Sequence, residues 1–376
     1  MKKLDKHVFD HSNPYTIGVE EEYMLCSPVD GELIPMADSI INALPDNLMQ
    51  RFSYELILSE IEVNTPICNT VKEAVDCLLE LRNYTRELGN KLNFNIGISG
   101  THPTANPDDQ IFVQNDNYSW VKNQMKYYAR QNITFALHVH IAVTDAETSI
   151  HVLNGLRRWI PPLLAISANS PFFNQKQTGM RSTRTIQFGA FPRTQIPQFF
   201  KNYTDYENLT SKYLKMKTIN KTRQVWWKIR PHFDFGTIEF RICDVQRSIQ
   251  KTEMIIALCQ ALVYQSVLDY QNGILKEDLN LELLNDGLWK ATRFGQDAKV
   301  CDAATEEVIS LRNFIQSMID YSSEALNYFG NGHIIKFYNS VDGRVSECDE
   351  QLKIYEESGF SGLKKYLTDS VDYNYN

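Results

Sequence analysis

Histidine, glutamate and arginine recur at every second position in four short segments of this 376-residue chain. The run Ile133 to Val143 has large apolar residues at every odd position, while Thr134, Ala136, His138, His140 and Ala142 occupy the even ones. Successive side chains of a strand point to opposite faces, so the two histidines share one face among small neighbours. The same alternation sets Gly18, Glu20 and Glu22 against Ile17, Val19, Tyr23 and Leu25. It sets Glu60, Glu62 and Asn64 against Ile57, Ile61 and Val63, and Thr237, Glu239, Arg241 and Cys243 against Ile238, Phe240 and Ile242. Within one sheet, such strands would pack one face on helices and collect Glu, His and Arg on the other.

A face carrying that many carboxylates is not a stability device. Like charges at neighbouring cross-strand positions repel, and burying them unpaired is costly. A cation removes the conflict. Same-face residues lie roughly 6.7 Å apart along a strand and about 4.8 Å across strands. That spacing lets Glu20 and Glu22 serve neighbouring metal positions while Glu62, His138 and Glu239 approach from other strands. Mostly oxygen donors favour Mg²⁺, and a histidine among them admits Mn²⁺. Any one of these strands taken alone reads as a solvated face; four together, with histidine and arginine among the acids, read as a site. Glu21 falls on the apolar side and reads as a bystander. Glu55 is seven residues from Glu62, so an unbroken strand would point it away, and it joins only through a bulge near Ser59.

The elements that must position these residues follow from periodicity. Strands are expected near Thr16–Cys26, Leu56–Asn64, Phe94–Ser99, Ile133–Val143 and Thr237–Val245. Helices are expected near Val71–Leu92, Ser149–Ile160, Ile249–Tyr270, Glu306–Tyr321 and Asp349–Leu367. Thr70 and Glu73 form a capping-box pattern ahead of the stripe Val71, Ala74, Val75, Leu78 and Leu81. Strands follow one another without strict βαβ alternation, which predicts an α+β fold with antiparallel pairing. No repeat or linker divides the chain, so residues 1–376 read as a single catalytic domain.

Composition narrows the function. With 38 basic against 46 acidic residues, a net charge of -8, no nucleic-acid footprint is present. The apolar segments around Trp159–Ala168 and Ile255–Leu268 are too short or too interrupted to span a membrane. The first residues lack the apolar stretch of a signal peptide, and seven cysteines without a C-x-x-C pair suit a reducing cytoplasm.

Walker, Rossmann, serine-elbow and Cys-His patterns are all missing. Arginines instead mark Gly179–Thr185, Phe191–Arg193, Arg230–His232 and Arg293–Gly295, and guanidinium groups grip carboxylates and phosphates in pairs of bonds. Divalent ions plus arginines, without a P-loop, describe a nucleotide site whose phosphate charge rests on metals. A metal-dependent hydrolase is the rival account, although His151, His232 and His333 downstream fall on no clear strand end. A non-catalytic nucleotide or amino-acid sensor is the third.

Seven motifs, in order, resemble one family: Gly18–Glu22, Ser59–Pro66, Gly100–Pro103, His138–His140, Ser167–Phe172, Thr178–Thr185 and Thr237–Arg241. It is the type-2 glutamate–cysteine ligase family of carboxylate–amine ligases, and the resemblance covers about residues 15–300. It implies a glutamine-synthetase-like fold: a curved, mainly antiparallel sheet forming a funnel, with helices packed on its outer face and ATP entering one end. It also implies Mg-ATP-dependent coupling of a carboxylate, glutamate's above all, to an amine such as that of cysteine through an acyl phosphate. By motif position Glu20, Glu22, Glu55, Glu62, His138 and Glu239 would hold the metals, Arg241 would contact the transferring phosphate, and Arg184 would bind the acceptor's carboxylates. Arg230 goes with the nucleotide and His140 with the substrate. A homodimer is expected from the family and from the 19 Phe, 19 Tyr and 5 Trp. Asp286–Gly287 departs from the family's Glu-Asn, and the helical segment from about 300 to 376 is left unassigned.

Overall fold

A computed structural model of the chain describes residues 5–369. Seven strands form the main sheet: β1 (Ile17–Cys26), β2 (Phe52–Tyr54), β3 (Glu60–Asn64), β4 (Asn95–Gly97), β5 (Ala136–Ala142), β6 (Ile229–His232) and β7 (Thr237–Asp244). Their spatial order is β2-β3-β1-β5-β7-β6, with β4 paired to the far end of β1, and every pairing is antiparallel. The expected antiparallel α+β architecture is the one observed.

One face of the sheet is covered by helices. The central one, α5 (Ile249–Gln271), is apolar on nearly every side and buried along most of its length, as a helix must be when it is wrapped by others. It packs on β5 and is flanked by α1 (Val71–Leu92) and α2 (Ala146–Leu156), while α3 (Ile160–Ser167) lies on β7. The Thr70 side chain caps α1 through the Glu73 amide, and Glu73 reaches back to the Asn69 amide. Val19, Val139 and Phe240 are buried against this layer, as the alternation predicts.

Four local expectations are corrected. The strand expected over Leu56–Asn64 is a hairpin: β2 ends at Tyr54, the chain turns through residues 55–59, and β3 runs back with Ser53 opposite Glu62. Arg230–Pro231–His232, an arginine-marked stretch outside the expected strands, lies in a strand. Pro231 is tolerated there because β6 is the sheet's edge. His232 therefore does close a strand. Finally, β7 carries one extra residue between the pairs Val139–Phe240 and Leu137–Cys243. Such a bulge reverses the parity of the residues beyond it. Asp244, rather than Cys243, thus turns to the polar face, and Cys243 is buried beside Cys259 of α5.

The C-terminal segment, which matches no motif, closes against the rest. Helix α6 (Leu311–Tyr328) precedes α7 (Glu347–Asp369). The Glu347 carboxylate accepts the Arg247 and Ser248 amides at 2.8 Å, immediately ahead of α5. Gln351 donates to Asn169 and Ser99, and Lys364 pairs with Glu32. None of the helices among the described residues is long and apolar enough to cross a membrane.

Candidate active site

Register decides which polar residues meet. Glu20 lies opposite Asn64 on one side and His138 on the other, Glu22 opposite Glu62, and His140 opposite Glu239. His138 Nδ1 is 2.9 Å from Glu20 Oε2, and His140 Nε2 is 3.3 Å from Glu20 Oε1. The Glu22 carboxylate accepts the Ala136 amide at 2.5 Å. Glu55 reaches the cluster from the turn after β2, so a hairpin rather than a bulge brings it in. Glu60, to which the motifs assign no role, also faces the same cavity.

That cavity has a volume of about 290 Å³ and is lined by Glu20, Glu22, Glu55, Glu60, Glu62 and His138 on one wall and by Arg184, Arg230 and Arg241 on the other. Phe188, Phe191, Trp226 and Tyr118 form its aromatic rim. A larger cavity of about 710 Å³ opens at the other end of the strands, beside Gly18, Thr65, Pro66, Ile67, His140, Phe235 and Thr237. Glu20 lines both.

Electrostatics separate the two walls. Burial and then Glu22 push the Glu55 carboxyl up to about 8, and burial and neighbouring carboxylates raise Glu60 and Glu62 well above the usual range. These acids cannot all ionise together without a counter-charge. Glu20 behaves oppositely: burial works against its charge, yet His140 and His138 hold its carboxyl below the ordinary value. Burial, then Arg230 and Arg241, have the corresponding effect on Glu239, with the two guanidiniums prevailing. Arg230 Nε donates to Glu239 at 2.5 Å, and Arg241 pairs with the same carboxylate.

The donor set suits divalent cations. Three groups, Glu20–His140–Glu239, Glu20–Glu62–His138 and Glu22–Glu55–Glu62, each bring their ligand atoms within 4.8 Å of one another. His138 Nε2 is buried with no hydrogen-bond partner, as an atom awaiting a ligand would be, and His140 Nε2, though close to Glu20 Oε1, makes no hydrogen bond among the described residues. Glu20 and Glu62 each belong to two groups, so the positions are adjacent.

The arginines differ in what they have left to offer. Arg230 spends its donors on Glu239 and on the carbonyls of Arg223 and Val225. Arg184 donates to the carbonyls of Ile242 and Arg241 and lies 3.7 Å from Asp244. Arg241 makes its ion pair with Glu239, while its Nε is buried without a partner. Alternation alone passes over Trp226 and Lys228. Trp226, Lys228, Arg230 and His232 alternate with Trp227, Ile229 and Pro231, a period-2 signal that the proline disguises.

Glu21, the supposed bystander, has a partner. It is fully buried on the helix face, where Arg82 of α1 binds both its oxygens at 2.9 and 2.5 Å and Tyr23 adds a third bond.

Known proteins resemble this chain over most of its length. Residues 16–326 match the model of glutamate-cysteine ligase family 2. A Solibacter usitatus protein, provisionally named glutamate–cysteine ligase 2, is 32% identical over 95% of this chain and 94% of its own length. A Herpetosiphon aurantiacus protein of the same provisional name is 32% identical over 92% of this chain and 90% of its own. Among solved structures, the glutamate–cysteine ligase of Francisella tularensis in complex with AMP superposes with a TM-score of 0.72. It covers 96% of this chain and 89% of that one at 12% identity, a likeness of fold. The chain belongs to glutamate–cysteine ligase family 2 and is an ATP-dependent carbon–nitrogen ligase on a glutamine-synthetase-like fold.

Proposed function

We propose that this enzyme activates the side-chain carboxylate of glutamate with ATP and couples it to an amine of the cysteine class through an acyl phosphate. The observation that carries the reading is a row of unneutralised carboxylates, shared by two cavities through Glu20, that faces Arg241. On this reading the nucleotide base lies in the larger cavity, against Pro66, Ile67 and Phe235, and the amino-acid substrates lie in the smaller one.

Glu20, Glu22, Glu55, Glu62, His138, His140 and Glu239 are the residues fitted to hold Mg²⁺ or Mn²⁺. Bound there, such ions would supply the positive charge that lets a triphosphate approach the carboxylates. Arg241 lines the cavity with its Nε unpartnered, which on this reading leaves that donor for the developing phosphoryl charge, and its pairing with Glu239 fixes the guanidinium plane beforehand. Arg230 keeps Glu239 ionised and correctly turned. Arg184, tied to the backbone of β7, presents a rigid cation to a substrate carboxylate. The aromatic rim limits water around the activated carboxyl, so that the amine rather than water attacks. All seven cysteines are free, in keeping with a cytoplasmic enzyme.

The test is release of ADP and phosphate from ATP with Mg²⁺, screened over pairs of amino acids. ADP release that requires glutamate together with an amine is the expected result. ATP turnover indifferent to glutamate would refute the assigned donor, and binding without any turnover would favour a sensor.

A further inference from the structure

Lys228 immediately precedes β6, and the coupling of carboxylate to amine gives it no task. The residue is only 3% exposed, and its Nζ has no hydrogen-bond partner among the described residues. Its carbonyl accepts the Arg241 amide at 2.9 Å, which makes the two residues cross-strand neighbours on the polar face. Lys228 Nζ lies 5.5 Å from the centre of the Phe188 ring, and Arg241 Cζ lies 5.9 Å from the same ring. Phe188, Arg184 and Arg241 all line the smaller cavity.

The local charges do not balance. Around Lys228 itself the cations are Arg184 and Arg241 and the acid is Asp244. Glu239 is claimed by Arg230 and Arg241. Asp244 lies beside Arg184 and accepts bonds from Asn169, Ser170 and Ser182. Burial first, then Arg184 and Arg241, lower the Lys228 amine to about 7 against the pull of Asp244. A buried amine with no partner, set against a second cation, weakens the fold unless a ligand completes it.

We propose that Lys228 and Arg184 form a seat for the carboxylate of the amino-acid substrate that does not react, covered by Phe188 until the substrate arrives. The assignment rests on the ligase reading of the cavity and adds Lys228 to it as a residue that selects the donor by its second carboxylate. The ring of Phe188 is half-buried on the short helix α4 (Thr183–Gly189).

The experiment is calorimetric titration of L-glutamate, and of 4-aminobutyrate, which lacks the α-carboxylate, into protein holding Mg²⁺ and a non-hydrolysable ATP analogue. Wild type should bind L-glutamate at least about tenfold more tightly, the ordinary scale for a charge-assisted bond. Lys228→Met should lose that preference while keeping its affinity for 4-aminobutyrate and for the analogue, and Lys228→Arg should retain most of it. Three outcomes overturn the proposal: a wild type that does not discriminate, a Lys228→Met protein that binds L-glutamate as wild type does, or equal losses for both ligands. A purely structural lysine would lower the melting temperature of the Met variant and leave the preference intact. Discrimination without ADP release sinks the ligase reading and spares the seat; ADP release with an unchanged preference in Lys228→Met does the reverse.

Discussion

Glu20, Glu21 and Glu22 are consecutive on one strand, and the two faces of the sheet treat them oppositely. On the helix face Glu21 is matched by Arg82, whose remaining donors reach the carbonyls of Gln246 and Arg247, so nearly every polar atom there has a partner. On the open face Glu20 and Glu22 join Glu55, Glu60 and Glu62, and the Nε2 atoms of His138 and His140 beside them make no hydrogen bond among the described residues. A buried ion pair with complete hydrogen bonding is a fastener. A cluster left short of positive charge is a site, because its missing partner must come from outside the chain. The number of buried acids therefore matters less than whether the protein itself answers them.

That contrast can be broken most directly at Glu62, which belongs to two of the candidate metal groups. Glu62→Gln should cut ADP release on the order of 10³-fold, the upper range for one lost preorganised charge contact. In EDTA the same variant should melt no lower than wild type, since it removes a repelled carboxyl. A large drop in melting temperature would put Glu62 with Glu21 among the fasteners.

Across the sheet the pattern should invert. Arg82→Met leaves Glu21 without its counter-charge, held only by the Tyr23 and Thr252 hydroxyls, at a cost of about 3–5 kcal/mol in a urea titration. Replacing Glu21 by Gln in addition should recover much of this, and turnover per folded molecule should stay near wild type. Loss of turnover without loss of stability would mean that the helix face takes part in the chemistry.

On the basic wall, Arg241→Lys keeps the charge beside Glu239 but loses the planar second contact. ADP release should fall about 10²-fold with little change in melting temperature. Near-normal turnover together with a lower melting temperature would reduce Arg241 to a prop for Glu239.

The smallest effect is a pH drift. The folded Glu55 carboxyl titrates near 8 against an ordinary 4.5, so the native state holds the extra proton between those values. Stability from this group is therefore full below about 4.5 and lost as pH rises toward 8. Thermal melts in EDTA should show a decline across that window, and Mg²⁺ should flatten it. A rise over the same range in EDTA would contradict the uncompensated cluster.

Strand alternation is legible in the chain because side-chain direction in an extended backbone is a local property with period two. It places Glu20, Glu22, Glu62 and His138 on one face and Val19, Val139 and Phe240 on the other before any fold is considered. Helix α1 is legible to the residue, since its cap and its apolar stripe lie within one stretch of sequence. Parity across a turn or a bulge is not local. Glu55 enters through a hairpin, Asp244 replaces Cys243 through one extra residue in β7, and Pro231 hides the row that carries Lys228. Each depends on which distant strand is the hydrogen-bonding partner. The fate of Glu21 depends on a helix whose Arg82 lies 61 residues away. Residue types and their period thus set which side chains could do chemistry. Strand and helix pairing decided which of them would be left without a partner, because neutralising a buried charge is an act of residues far apart in the chain.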